Sequence, residues 1–387
     1  MRRGIVVAAL GTAQTLAWGS SYYLPAILAD PIAEGVGVSR SLVFGCFSGA
    51  LLMSAFLGPV IGRVIDQHGG RGMLAASNLV LATGLALLAI AHGIVGLVVA
   101  WAVLGLGMAM GLYEPAFATL TGLYGRAARG PITGITLIAG FASTVGWPLS
   151  AYLDASFGWR DACLVWAVLH IVLGLPLNRL LIPQAPPPMR SPAAEGEAAP
   201  APRLAMPVLA FVFAATAFVT GAMAAHLPRL LEIAGASATA AIAASALVGP
   251  AQVGARLIEF GALRYVHPLI SARLSAILHP LGVVPLAIFG PSAIMVFTVL
   301  HGAGNGLITI ARGTVPLAIF GPAGYGLRTG LLGAPARATQ ALAPFLFGVL
   351  LDRMGTAAIA ISASCSIAAF LALFLLKARA EPAPVPA

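Results

Sequence analysis

Charge is what this chain has least of. Asp, Glu, Lys and Arg make up 9% of its 387 residues, where a soluble globular domain carries about a quarter, and that deficit excludes a water-soluble fold. Cysteine is equally thin. Cys46, Cys163 and Cys365 lie in separate apolar segments without ligand-like spacing, which excludes a disulfide framework and a structural zinc site. A phosphate-cradling loop, a metal-ligand cluster and a nucleophile with a base at useful spacing are also missing. The run Gly105-Leu106-Gly107-Met108-Ala109-Met110-Gly111 has the wrong spacing and no preceding strand for a dinucleotide site; its small residues suit close helix packing. These absences leave no enzyme signature, no implied cofactor and no nucleotide-driven pump.

What is present is apolar sequence, 59% of the chain. A bilayer core needs about 20 apolar residues per helix. That ruler gives twelve spans, near 4–28, 40–64, 72–91, 94–122, 131–153, 161–182, 206–230, 237–258, 267–289, 292–319, 326–350 and 356–376. The expected architecture is therefore an all-α membrane protein with two six-helix bundles, 1–182 and 206–387, joined by a cytoplasmic linker at 183–205 that is rich in proline and alanine. Met1-Arg2-Arg3 opens an apolar run that continues past Trp18 to Leu28, so it reads as a retained first span and not as a cleaved leader. The net charge of +9 does not point to nucleic acid, because the arginines occupy short gaps between spans, as the positive-inside rule expects. With both termini in the cytoplasm, Arg40, Arg160, Arg229 and Arg353 are the arginines left outside. The expected location is a bacterial cytoplasmic membrane.

The halves echo one another. Leu24-Pro25-Ala26-Ile27-Leu28 returns as Leu227-Pro228-Arg229-Leu230-Leu231. Tyr124-Gly125, Gly134 and Pro148 return as Phe320-Gly321, Gly330 and Pro344, and Arg63-Val64-Ile65-Asp66 returns as Arg256-Leu257-Ile258-Glu259. Parallel halves in a membrane protein are a signature of a transporter that rocks one half against the other around a site at their interface.

The segment Gly62-x-x-x-Asp66-x-x-Gly69-x-Arg71 resembles the loop between the second and third helices of the major facilitator superfamily, and Phe157-Gly158-Trp159-Arg160 resembles the start of that family's sixth helix. One departure is Gln67, where the family usually has a basic residue. The resemblance implies two six-helix bundles, alternating access, transport of a small solute, and a monomer in the bilayer. It implies that Gly62, Arg63, Asp66, Gly69 and Arg71 form a conformational latch between bundles. A finer resemblance, carried by Trp18-Gly19-Ser20, Gly37-Val38-Ser39-Arg40 and Tyr124-x-Arg126-x-x-Arg129, is to the branch that carries monocarboxylates and other organic anions; the expected solute is a small organic anion, and the expected coupling ion is the proton.

Ionisable groups inside a span are functional candidates because they cost several kcal/mol unless paired or wetted. Arg337 lies near the middle of span eleven with Gln340 one turn on, and His301 and Asn305 share a face of span ten. A guanidinium fork suits a carboxylate, and a histidine can add a donor and exchange a proton; together they would make a cationic pocket. Gln14 and Trp18 on span one and Tyr113 on span four are further substrate candidates, whereas Tyr22 and Tyr23 read as interfacial anchors. Glu114 and Arg312 sit at matching depths in spans four and ten, and the expectation is a salt bridge between them that closes an inner gate, with Glu114 or His301 carrying the coupling proton. The rival readings are an efflux carrier for hydrophobic drugs or a metalloid, working by proton antiport, and a membrane sensor that has lost transport.

Overall fold

The computed structural model describes residues 3–184 and 203–377. All its regular elements among these residues are helical. In the first half they are α1 (Arg3–Ser20), α2 (Pro25–Val36), α3 (Arg40–His68), α4 (Arg71–Ala89), α5 (Gly93–Gly111), α6 (Tyr113–Tyr124), α7 (Arg129–Ala139), α8 (Ala142–Phe157), α9 (Trp159–Leu169) and α10 (Leu175–Leu180). In the second they are α11 (Ala205–Ile233), α12 (Ala238–Ala246), α13 (Val248–Gly261), α14 (Pro268–Phe289), α15 (Ile294–Phe320), α16 (Tyr325–Met354) and α17 (Ala358–Ala372). Most of the expected linker, 185–202, and the arginines Arg2, Arg190 and Arg379 lie outside the described residues.

Eight helical stretches are long and apolar enough to cross a bilayer, and they do not map one to one onto the twelve expected spans. Gly93–Phe157 runs 65 residues, far more than the roughly 20 one crossing needs; it bends after Gly111 and turns at the short 3₁₀ segment Gly125–Ala128. The expected first span is split into α1 and α2 at Ser21–Leu24 and does not count among the eight. Its polar Thr12, Gln14 and Thr15, together with the break, account for that.

One local geometry occurs in both halves. Gly37 ends α2 in the left-handed region (φ 75°), and Ser39, two residues on, caps α3 by accepting from Leu42 N–H at 3.2 Å. In the second half Gly235 (φ 98°) precedes Ser237, which caps α12 by accepting from Ala240 N–H at 3.3 Å. The cause is the same in both places: glycine tolerates the left-handed turn and a serine oxygen satisfies an orphan helix donor.

Each half packs its own apolar interior. Leu81, Leu85, Trp101 and Trp166 belong to one cluster of the first half, Val212, Phe213, Ala311 and Val315 to one of the second. Buried polar contacts tie helices together within each half. In the first half His170 bonds Ser20 at 2.7 Å and Asn78 at 2.9 Å. In the second, His279 bonds His301 at 3.0 Å and Ser362 at 3.0 Å. The halves meet chiefly where α3 and α16 run antiparallel in close contact, and where α7 packs on α13 and α15.

Candidate functional site

Between the halves lies a cavity enclosing about 1040 Å³ of space, part of it open to solvent. Trp18 of α1, Tyr22 and Tyr23 of the break that follows, and Tyr113, Glu114 and Phe117 of α6 form its first wall. Gln252 and Arg256 of α13, Asn305, Thr309 and Arg312 of α15, and Arg337 and Gln340 of α16 form the facing one.

The position of Glu114 begins with Pro115. Proline has no N–H to give to the carbonyl four residues back, so the carbonyl of Gly111 is released and α5 ends, with Leu112 extended (ψ −160°) before α6 starts. Gln14 fills the vacancy: its Nε2 donates to that carbonyl at 2.6 Å. Glu114 thus falls in the first turn of α6, at the positive end of the helix, and reaches into the cavity.

Glu114 pairs with Arg337 across the interface between the halves. The expected partner, Arg312, lines the same cavity but makes no ion pair among the described residues; its Nη2 donates to the carbonyl of Phe213 at 3.4 Å and its Nε has no partner. Equal depth did not decide the pairing, because α16 packs closely on α6 while α15 is a more distant neighbour. Gln340 donates to the hydroxyl of Tyr22 at 2.7 Å, also joining the halves, and Thr220 donates to Asn305 Oδ1 at 3.0 Å. Trp18, Tyr113, Asn305, Arg337 and Gln340 therefore all line the cavity.

Gln14 and His301 do not. Gln14 is 1% exposed and holds the break in span four, while His301 is 4% exposed and turned toward His279 and Phe297 in the interior of the second half. His301 and Asn305 are four residues apart, about 400° of turn at 3.6 residues per turn, and the 40° offset separates packing from cavity. In the other direction Arg256, read from sequence as the counterpart of Arg63 and not as a substrate candidate, is 5% exposed and lines the cavity, carried there by α13. Its repetition of Arg63 was a misleading signal; its place inside the expected span 237–258 was the one that pointed to it. Tyr22 and Tyr23, expected at the membrane interface, also line the cavity, because the chain breaks at Ser21–Leu24 and turns them inward.

One end of the cavity is sealed. Asp66, near the end of α3, accepts from the backbone N–H of Gly326 at 2.7 Å and of Leu327 at 2.8 Å, capping α16. Gly62 meets Gly326 and Gly58 meets Gly330 so closely that a Cβ on Gly62 would overlap the Gly326 carbonyl. Arg63 is exposed, and among the described residues neither it nor Arg71 forms an ion pair with Asp66, so the carboxylate engages helix amides and not the arginines of its own loop. A second contact mirrors the first. Arg129, opening α7, donates to the carbonyls of Val266 at 2.7 Å and Leu263 at 2.9 Å and to Glu259 at 3.3 Å. Glu259 is the sequence counterpart of Asp66, and Ser271 donates to it at 2.5 Å. Toward the opposite end, beyond Tyr22–Gln340 and Ser48–Ala341, no hydrogen bond joins the halves among the described residues.

A profile of the Major Facilitator Superfamily matches residues 10–297. No curated protein matches the chain. Among solved structures it is similar to the human organic anion transporter MFSD10 (TETRAN), with TM-score 0.73, 17% identity, and coverage of 96% of this chain and 99% of that one. It is also similar to the proton:xylose symporter XylE bound to 6-bromo-6-deoxy-D-glucose, with TM-score 0.73, 14% identity, and coverage of 96% and 94%. These likenesses carry the fold, and the profile match covers most of the sequence: the chain belongs to the Major Facilitator Superfamily.

Proposed function

We propose that this protein is a secondary active transporter of a small organic anion, working by alternating access. The observation that carries the reading is the charge of the cavity: the guanidiniums of Arg256, Arg312 and Arg337 face a single carboxylate, Glu114. An uncompensated guanidinium at membrane depth is costly, and a planar donor fork matches a carboxylate. The human organic anion transporter of the same fold is consistent with this substrate class.

In this reading twelve spans form two bundles, 1–182 and 206–387, with both termini in the cytoplasm of a bacterial inner membrane and the protein acting as a monomer. The Asp66 and Arg129 contacts lie on the cytoplasmic side, so the conformation is outward-facing. Substrate enters from the open side and its carboxylate competes with Glu114 for Arg337. Protonation of Glu114 would release Arg337 to the solute, which couples proton and anion; His301, sequestered from the cavity, leaves that role to Glu114.

Efflux of hydrophobic drugs is the second reading, favoured by the aromatic wall of Trp18, Tyr22, Tyr23 and Tyr113. A thiol-bound metalloid has no such support, since Cys46, Cys163 and Cys365 are not among the residues lining the cavity. A ligand that binds the native state alone stabilises it in proportion to occupancy. Thermal stabilisation of purified protein by small carboxylates, lost in Arg337→Ala, is the expected result; stabilisation by cationic drugs or trivalent metalloids alone, indifferent to Arg337, would overturn the organic-anion reading.

A further inference from the structure

Resting on that reading, the cavity has a finer order than its net charge conveys. It holds two cationic poles. Arg312 of α15 and Arg337 of α16 reach toward α11 and α6, where they meet the carbonyl of Phe213 and the carboxylate of Glu114. Arg256 of α13 reaches instead toward α7, where it meets the carbonyl of Thr136.

Both poles are undersupplied with acceptors. A guanidinium carries five N–H donors. Arg256 places one on the carbonyl of Thr136 at 3.3 Å and one on Gln252 Oε1 at 3.5 Å, both longer than an ordinary N–H···O bond, and its Nε has no partner. Arg312 has one bond, at 3.4 Å, and an unpartnered Nε. Among the described residues no carboxylate pairs with either. With Arg256 only 5% exposed, its charge at this depth calls for an anionic partner that this chain does not supply.

Aromatic rings stand beside both poles. The Trp18 ring lies 5.1 Å from that of Tyr22, 6.1 Å from Tyr23 and 4.8 Å from Tyr113. These rings line the same cavity as all three arginines, on the wall opposite them. A monoanion would leave one pole empty, and an aliphatic diacid would leave the ring wall without a π-face to stack on.

We propose that the solute is an aromatic dianion, with one acidic group on Arg256, the other on Arg312 and Arg337, and a planar body against Trp18, Tyr22 and Tyr113. Calorimetric titration of the full-length purified protein with terephthalate, benzoate and succinate at constant ionic strength tests it. Terephthalate is expected to bind about tenfold or more tightly than either of the others, the order of one additional charge-assisted contact. Arg256→Gln is expected to bring terephthalate down to the benzoate level, and Arg256→Lys, which keeps the charge but loses the fork, to fall between. Should Arg256→Gln not fold, Arg256→Lys and the wild-type ratios decide. Equal affinity for benzoate and terephthalate would overturn the dianion while leaving an organic-anion carrier intact. Equal affinity for succinate and terephthalate would overturn the aromatic body. Binding of cationic drugs with no response to any carboxylate would overturn both this inference and the function on which it rests.

Discussion

Neutralising Asp66 should open the sealed end. In Asp66→Asn the side chain keeps one oxygen acceptor, so one of the two bonds to Gly326 and Leu327 is lost together with the negative charge at the α16 N-terminus. A hydrogen bond to a charged group contributes about 1.5–3 kcal/mol and a charge at a helix end about 0.3–1 kcal/mol; the side chain is only partly buried, so a total of about 2–3 kcal/mol is reasonable. At 1.4 kcal/mol per factor of ten this moves the ratio of sealed to unsealed protein by roughly 30- to 140-fold. The reporter is a single cysteine at Thr329, which lines the cavity one turn from Gly326 and is 3% exposed, in a background with Cys46, Cys163 and Cys365 replaced by serine. A membrane-impermeant maleimide applied from the side of the sealed end should label Thr329→Cys much faster once Asp66 is neutralised. Arg129→Gln should act in the same direction, because it removes the mirror contact to Val266, Leu263 and Glu259. Labelling within twofold of the parent in Asp66→Asn would refute the reasoning and reduce the contact to a passive helix cap.

Removing one member of the Glu114–Arg337 pair leaves the other uncompensated; with Glu114's side chain 28% exposed, the cost falls below that of a fully buried pair, about 1–3 kcal/mol. Glu114→Gln and Arg337→Gln should each lower the melting temperature and the double substitution should cost less than their sum, a coupling that a double-mutant cycle measures; strict additivity would deny the pair. His301→Gln should destabilise by about 1–3 kcal/mol through the loss of its contact with His279 yet leave solute affinity unchanged in calorimetry, and a tenfold affinity loss would return His301 to the binding site. Gly62→Ala should impair sealing and lower thermal stability, since its methyl would overlap the Gly326 carbonyl; a variant as stable and as slowly labelled as the parent would disprove the tight α3–α16 crossing.

Membrane residence and the family were legible from residue types and spacing. Hydropathy and charge belong to residues one at a time, and a motif such as Gly62-x-x-x-Asp66 keeps its meaning wherever the helices come to rest. The scarcity of buried charge also singled out Glu114, Arg312 and Arg337 before any geometry was known, since each must be paired or wetted at membrane depth. Partners and facing were decided by tertiary structure alone. Glu114 could have met Arg312 or Arg337, and the packing of α16 against α6 chose Arg337. His301 and Asn305 differ by a small rotation about one axis, and that rotation put one in the interior and the other on the cavity. Arg256 became a binding candidate once α13 carried it inward. Facing is hidden in the sequence because lipid and protein interior are equally apolar: Phe56 and Phe345 lie 80% and 72% exposed on the outer surface while Phe297 and Phe347 are buried. With no polar face to mark the direction of solvent, the helix rotation is set only by neighbours distant in sequence.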